Sequence, residues 1–137
     1  MEEHYQFSDE EFNRQFETCK LDPGLFSHEA HLRLAWIHIN NLGLIKAEET
    51  IQNQLQNFVA HVGAKDKYHT TVTVVAIKAV YHFMKRSKTR DFKSFIAETP
   101  QLKTNFKGLI GRHYSYDIFK SDKAKTEFLE PDLHPFD

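Results

Sequence analysis

The segment from Lys46 to Val62 constrains the fold more than any other part of the sequence. Its apolar residues recur every three or four positions, and polar residues fill most of the positions between them. This is the period of an α-helix with one buried face, and no glycine or proline interrupts it. Gly63 follows, at the position where a helix commonly ends. The apolar stripe consists of Ala47, Ile51, Leu55, Phe58 and Val62.

Capping signals predict two helices before this one. Ser8, followed by Glu11 three residues later, forms a capping box and predicts a helix over residues 9–19. Ser27 is a favourable N-cap for a second helix, and Gly43 is its natural end.

The segment "KYHTTVTVVAIKAVYHFMKR" (67–86) permits two interpretations. Its threonines and valines favour a strand, but some 18 residues without a breaker are too many for a typical strand. We therefore predict a fourth long helix here. Shorter helices are predicted over residues 91–97, 101–110 and 121–129. The expected fold is all-α: an irregular bundle of four main helices plus short C-terminal helices, in a single domain covering residues 1–137.

Composition excludes several classes of protein. The chain has 137 residues and a formal net charge of −1, so no global field attracts it to nucleic acid or to an acidic membrane. Its one cysteine, Cys19, excludes an internal disulfide and favours a reducing compartment. There is no secretory signal and no apolar run of about 18 residues that would cross a membrane. We expect a cytoplasmic protein; its oligomeric state is not predicted.

Histidine is unusually frequent, with nine in the chain. In "FSHEAHLRLAW" (26–36), helical spacing puts His28 and His31 on the apolar face of the second helix, and Glu29 and Arg33 away from it. His69 shares a face with apolar residues of the fourth helix. The remaining histidines are expected at the surface or its rim; they are His4, His38, His61, His82, His113 and His134.

Three imidazoles on apolar faces need partners, because a buried ring has both a donor and an acceptor to satisfy. His28, His31 and His69 are therefore candidate ligands of a transition metal with one open coordination position. Zinc, iron, manganese, nickel and copper all suit such a site. A metal-free catalytic or ligand-binding cluster is a second interpretation, and a purely structural cluster is a third.

Four residues are candidates for a ligand pocket around this site: Trp36, Tyr68, Thr73 and Tyr114. The loop "GRHYSYDIF" (111–119) could bind an anion or close over a pocket, but packing and turn chemistry are the favoured interpretation. The expected function is a metal-dependent enzyme acting on a small molecule. The alternative is a non-enzymatic helical module that uses the histidines as polar anchors for a small ligand or a protein partner.

Three segments carry a resemblance: "SHEAHLRLAW" (27–36), "KYHTTVT" (67–73) and "YSYDIFKSDKAKTEFLEPDL" (114–133). Together they resemble a family of small, uncharacterised bacterial helical proteins with a HxxHLRxAW helix start, a YHxT segment and an EPDL tail. The resemblance implies a bacterial, single-domain helical protein and brings no activity with it. It adds Glu130 and Asp132 as candidates for a supporting or site-closing role.

Overall fold

A computed structural model describes residues 2–136, which contain helices and turns but no strand. The prediction of an all-α chain is confirmed. The residues group into two compact units, one ending at Tyr68 and the other beginning at His69. No glycine- or proline-rich linker marks this boundary in the sequence. The single domain over residues 1–137 stays a prediction.

The first unit contains three α-helices: α1 (Asp9–Glu17), α2 (His28–Leu42) and α3 (Leu44–His61). A short 3₁₀ turn lies before α1 (Glu3–Gln6), and another lies before α2 (Pro23–Leu25). A third follows α3 (Lys65–Lys67). The predicted stripe of α3 is buried at Ala47, Ile51, Leu55 and Phe58. Phe58 packs against Phe16 of α1, with ring centroids 4.8 Å apart.

The described part of the second unit contains one long α-helix and four short ones. They are α4 (Thr70–Met84), α5 (Phe92–Glu98), α6 (Gln101–Thr104), α7 (Phe106–Ile110) and α8 (Asp122–Thr126). The segment "TTVTVV" is helical, so its unbroken length outweighs its strand propensity. The single helix predicted over residues 101–110 is wrong, because Asn105 adopts φ −140° and ψ 41° and separates α6 from α7. The core of the unit includes Val75, Ile110, Tyr114, Ile118 and Ala124.

None of the helices within residues 2–136 combines the length and the apolar character that crossing a membrane requires.

Gly43 joins α2 to α3 without any other residue between them. Its φ of 82° and ψ of 170° lie in a region that glycine alone adopts without strain. The predicted end of α2 at Gly43 is confirmed. Gly43 is also the N-cap of α3, which begins at Leu44, two residues before the predicted start at Lys46. The junction therefore depends on the absence of a Cβ.

We predict that Gly43→Ala lowers the free energy of unfolding by about 1–3 kcal/mol, the typical cost of a side chain in this backbone region. Urea denaturation measures the effect. Gly24→Ala is the matched control, because a Cβ at Gly24 meets Asp22 only at an ordinary 3.5 Å and φ is not positive there. Equal stability of the two variants would contradict the strain assigned to Gly43.

His38 is buried in α2, with only 4% of its surface exposed, so its expected place at the surface is wrong. Its Nε2–H donates to the side-chain oxygen of Gln54 in α3, 3.1 Å away. Burial lowers the pKa of His38 below its ordinary value of 6.5, although Gln54 and Glu17 act in the opposite direction. The folded chain thus holds this ring neutral.

We predict that His38 makes the folded state less stable as the pH falls below about 6.5. The unfolded chain takes up a proton at that pH, whereas the buried ring resists it, so the unfolded state binds more protons. His38→Gln should therefore flatten the decline of the unfolding free energy between pH 7 and pH 5. His61→Gln, at an exposed position of α3, should leave the decline as it is. Parallel curves for the parent and His38→Gln would contradict this account.

Candidate functional site

The residues that α2 buries in its first turn are not the ones predicted from the sequence. Glu29 and Arg33 are only 6% and 4% exposed, whereas His28 and His31 are exposed residues. The predicted orientation of this turn is therefore wrong. The physical reason is that α2 is buried on nearly all sides from Leu32 to Ile39, so its apolar residues do not define one face.

Ser27 caps α2 as predicted, with its Oγ accepting from the backbone N–H of Ala30 at 3.1 Å. The ring of His31 packs on Phe26, with centroids 3.9 Å apart, and its Nδ1–H donates to the carbonyl of Ser27 at 3.0 Å. Desolvation of the ring by neighbouring atoms lowers the pKa of His31 to about 4, although the residue as a whole is exposed. The ring is neutral at pH 7 and leaves Nε2 as an acceptor.

His69 lies immediately before α4, in the second unit, and acts as its N-cap. Its Nδ1 accepts from the backbone N–H of Val72 at 3.1 Å, and its Nε2–H donates to the carbonyl of Ile118 at 2.9 Å. Both ring nitrogens are thus engaged. A metal held by His69 would first have to break one of these hydrogen bonds.

The four predicted pocket residues occupy different places. Trp36 is buried within α2, and Tyr68 ends the 3₁₀ turn before α4. The hydroxyl of Thr73 donates to the carbonyl of His69 in the preceding turn, at 2.7 Å. Tyr114 lines a cavity of about 310 Å³ in the second unit, while its hydroxyl donates to the carbonyl of Leu129 at 2.6 Å.

Arg33 is the centre of a buried polar cluster that joins α2 to residues 2–9. Its Nε and Nη2 both donate to Oδ1 of Asp9, at 3.1 and 3.0 Å. Nη2 also donates to the carbonyl of Phe7, and Nη1 to the carbonyl of His4, each at 2.8 Å. Nη1 lies 3.2 Å from Nδ1 of His4 as well. All five N–H groups of the guanidinium therefore have an acceptor.

His4 is completely buried, so its expected surface position is wrong. Because a guanidinium can only donate, the contact with Arg33 makes Nδ1 of His4 the acceptor and leaves the proton on Nε2. Burial, assisted by the charge of Arg33, lowers the pKa of His4, whereas Glu2 and Glu29 raise it. Nε2 is buried and has no hydrogen bond of acceptable geometry within the described part of the chain.

Two carboxylates face this nitrogen. Nε2 of His4 lies 3.2 Å from Oε1 of Glu2 and 3.8 Å from Oε2 of Glu29. Oε2 of Glu29 accepts from the hydroxyl of Tyr5 at 2.6 Å, and the hydroxyl of Ser27 donates to Oε1 of Glu2. Burial and the hydrogen bond to Glu29 raise the pKa of Tyr5, which keeps that hydroxyl a donor.

Glu2, His4 and Glu29 form the one place in residues 2–136 where three metal-ligating side chains converge, with ligand atoms within 4.8 Å of one another. Their donor set, one imidazole nitrogen and two carboxylate oxygens, suits divalent transition metals. The carboxylates of Glu2 and Glu29 both face Nε2 of His4, and their negative charge favours a cation at this place.

Sequence reasoning missed Glu2 and His4 because they lie 27 and 25 residues before Glu29 and Glu29 itself was placed on the outer side. One signal was available: a glutamate and an arginine at i, i+4 in an otherwise apolar helix need buried partners. Nothing in the sequence identifies those partners as residues 2–9.

Comparisons of this chain with protein-family models, with curated proteins and with solved structures gave no match.

We predict that Arg33→Met lowers the free energy of unfolding by about 3–5 kcal/mol, because it leaves a buried carboxylate–histidine cluster and two carbonyls without their donor. Arg14→Met should cost less than about 1 kcal/mol, since the Arg14–Glu11 pair lies at the surface. Chemical denaturation of both variants measures the difference. Similar losses for the two arginines would contradict the central place of Arg33.

Proposed function

We propose that the protein binds a divalent transition metal through Glu2, His4 and Glu29. The observation that carries this proposal is a buried imidazole nitrogen without a hydrogen bond, faced by two carboxylate oxygens at 3.2 and 3.8 Å. Metal–ligand bonds of about 2.0–2.2 Å place the ligand atoms of one ion roughly 3–4 Å apart. The separations of 3.2 and 3.8 Å between Nε2 and the two carboxylate oxygens lie in that range.

The surroundings of the three ligands support the same proposal. Metal ligands are commonly oriented by hydrogen bonds from neighbouring groups. Tyr5 supplies one to Glu29 and Ser27 supplies one to Glu2.

Arg33 sets a cost for metal binding. Coordination through Nε2 requires the proton of His4 to lie on Nδ1, where it would face the donor Nη1 of Arg33. The contact of 3.2 Å would then be lost, while Nη1 keeps its shorter bond of 2.8 Å to the carbonyl of His4. Leaving this buried, charged donor without its acceptor costs about 1–3 kcal/mol or more, against an apparent value of about 10–16 kcal/mol for structural zinc in zinc-finger peptides. We therefore expect the free energy of metal coordination to exceed the cost of moving the proton of His4 to Nδ1.

We extend the proposal to a metal-dependent reaction on a small molecule. Three protein ligands leave at least one coordination position for water or substrate, and an ion supplies a water of lowered pKa or polarises a carbonyl. Glu2 is the most accessible ligand, with 28% of its side chain exposed against 0% for His4 and 8% for Glu29. Access to the ion would therefore be from the side of Glu2. A cytoplasmic location, favoured by the single cysteine, belongs to the same proposal.

Metal content of the untagged protein, measured by mass spectrometry before and after loading, tests the site. We predict about one ion per chain in the parent, with zinc, iron, manganese, nickel and copper compared. Glu2→Gln, His4→Gln and Glu29→Gln should lose most of it. Glu29→Gln keeps an oxygen that accepts from Tyr5, so its loss of metal would not follow from a broken hydrogen bond to Tyr5.

Glu3→Gln is the matched control, because Glu3 lies in the same 3₁₀ turn but is exposed. It should bind metal like the parent, and so should His28→Gln, His31→Gln and His69→Gln. If Glu2→Gln, His4→Gln and Glu29→Gln kept the ion and the variants at His28, His31 and His69 lost it, the result would instead favour the site predicted from the sequence. No binding of any of the five metals by a folded parent would overturn the proposal.

A further inference from the structure

A second cavity in the second unit has a different chemistry and is independent of the proposed metal site. It has a volume of about 210 Å³ and lies beside the end of α4, the end of α7 and the C-terminal tail. Its apolar lining includes Phe83, Leu109, Ile110 and Phe136. This volume is below the 300–1,000 Å³ that is typical of drug-sized ligand sites, so it suits only a small ligand.

The wall formed by the tail is held in place by several contacts. Nδ1–H of His113 donates to the carbonyl of His134 at 2.8 Å, and its ring stacks on Phe136 with centroids 3.9 Å apart. The backbone N–H of Leu133 donates to the carbonyl of His113 at 2.9 Å. Asp132 accepts from the backbone and the hydroxyl of Ser115. These contacts hold the tail against residues 113–115.

The polar lining of this cavity is basic. His82, Arg112 and His113 contribute to it, and no acidic residue does. Within residues 2–136, the guanidinium of Arg112 takes part in none of the ion pairs or side-chain hydrogen bonds. His82 accepts at Nδ1 from Arg86, at 3.3 Å. An apolar floor with a basic rim complements an anion that carries an apolar body.

The neighbouring cavity of about 310 Å³ is less suited to a ligand, because several of its polar groups already have partners within the chain. Tyr114 donates to the carbonyl of Leu129, and Asp117 accepts from the backbone N–H of Phe119. The amine of Lys107 lies 5.0 Å from the centre of the Phe119 ring. A ligand there would have to replace these contacts, whereas Arg112 has none to lose.

We infer that the cavity beside Arg112 binds a small monocarboxylate with an aromatic or branched aliphatic body. The carboxylate would pair with the planar guanidinium of Arg112 at the mouth. The body would lie against Phe83, Leu109 and Phe136. Since Arg112 is exposed and the cavity is small, the affinity is modest, with a Kd of roughly 0.1–1 mM.

NMR titration of the full-length, isotope-labelled chain with benzoate tests this inference. We expect saturable shifts of the backbone signals of Leu109, Arg112, His113 and Phe136. Benzyl alcohol, of similar shape but uncharged, should bind about five- to tenfold more weakly, and so should benzoate to the variant Arg112→Gln. Lys107→Gln, which changes the neighbouring cavity, should bind benzoate like the parent.

Several results would overturn the inference. They are the absence of saturable shifts with benzoate and with isovalerate up to 10 mM, equal binding of benzoate and benzyl alcohol, and undiminished binding to a folded Arg112→Gln. Shifts confined to Lys107, Tyr116 and Phe119 would assign the ligand to the other cavity and would also contradict it. Adding a metal chelator should leave benzoate binding unchanged, which separates this test from that of the metal site.

Discussion

The guanidinium of Arg33 is the interaction on which the first unit depends. Its five donors are distributed over Asp9 and over the carbonyls of His4 and Phe7 and the ring of His4. A buried charge of this kind is stable only when it is paired and fully hydrogen-bonded. Arg33 thereby fixes the turn at Glu3–Gln6 against α2, although neither segment has a strong intrinsic reason to meet the other.

The same contacts create the chemistry of the cluster. By occupying Nδ1 of His4, Arg33 directs the opposite nitrogen towards Glu2 and Glu29, and Tyr5 and Ser27 hold the two carboxylates in place. Stability and metal binding are thus coupled through one histidine ring. Metal binding would cost Arg33 one acceptor, about 1–3 kcal/mol or more, and the coordination bonds would have to exceed that cost.

Local signals predicted most of the helices. Ser8, Ser27 and Gly43 have the capping or terminating roles expected of them, because these roles depend on neighbouring residues only. The periodicity of α3 also identified its buried stripe. The same method failed on α2, where burial on nearly all sides removes the contrast between faces. His69 is a related case: the sequence predicts it on the apolar face of the fourth helix, whereas it lies just before α4 as the N-cap, with both ring nitrogens engaged. His4 and Arg33 lie 29 residues apart in the sequence, so patterns among neighbouring residues do not predict their contact.

The location of a bound metal tests the account most directly. Crystals of the zinc-loaded protein, measured at the zinc absorption edge, would give the position of the ion from its anomalous scattering. The account predicts one peak at about 2.0–2.2 Å from Nε2 of His4 and from carboxylate oxygens of Glu2 and Glu29. A peak at His28 or His31, or none within reach of His4 in zinc-loaded crystals, would contradict it.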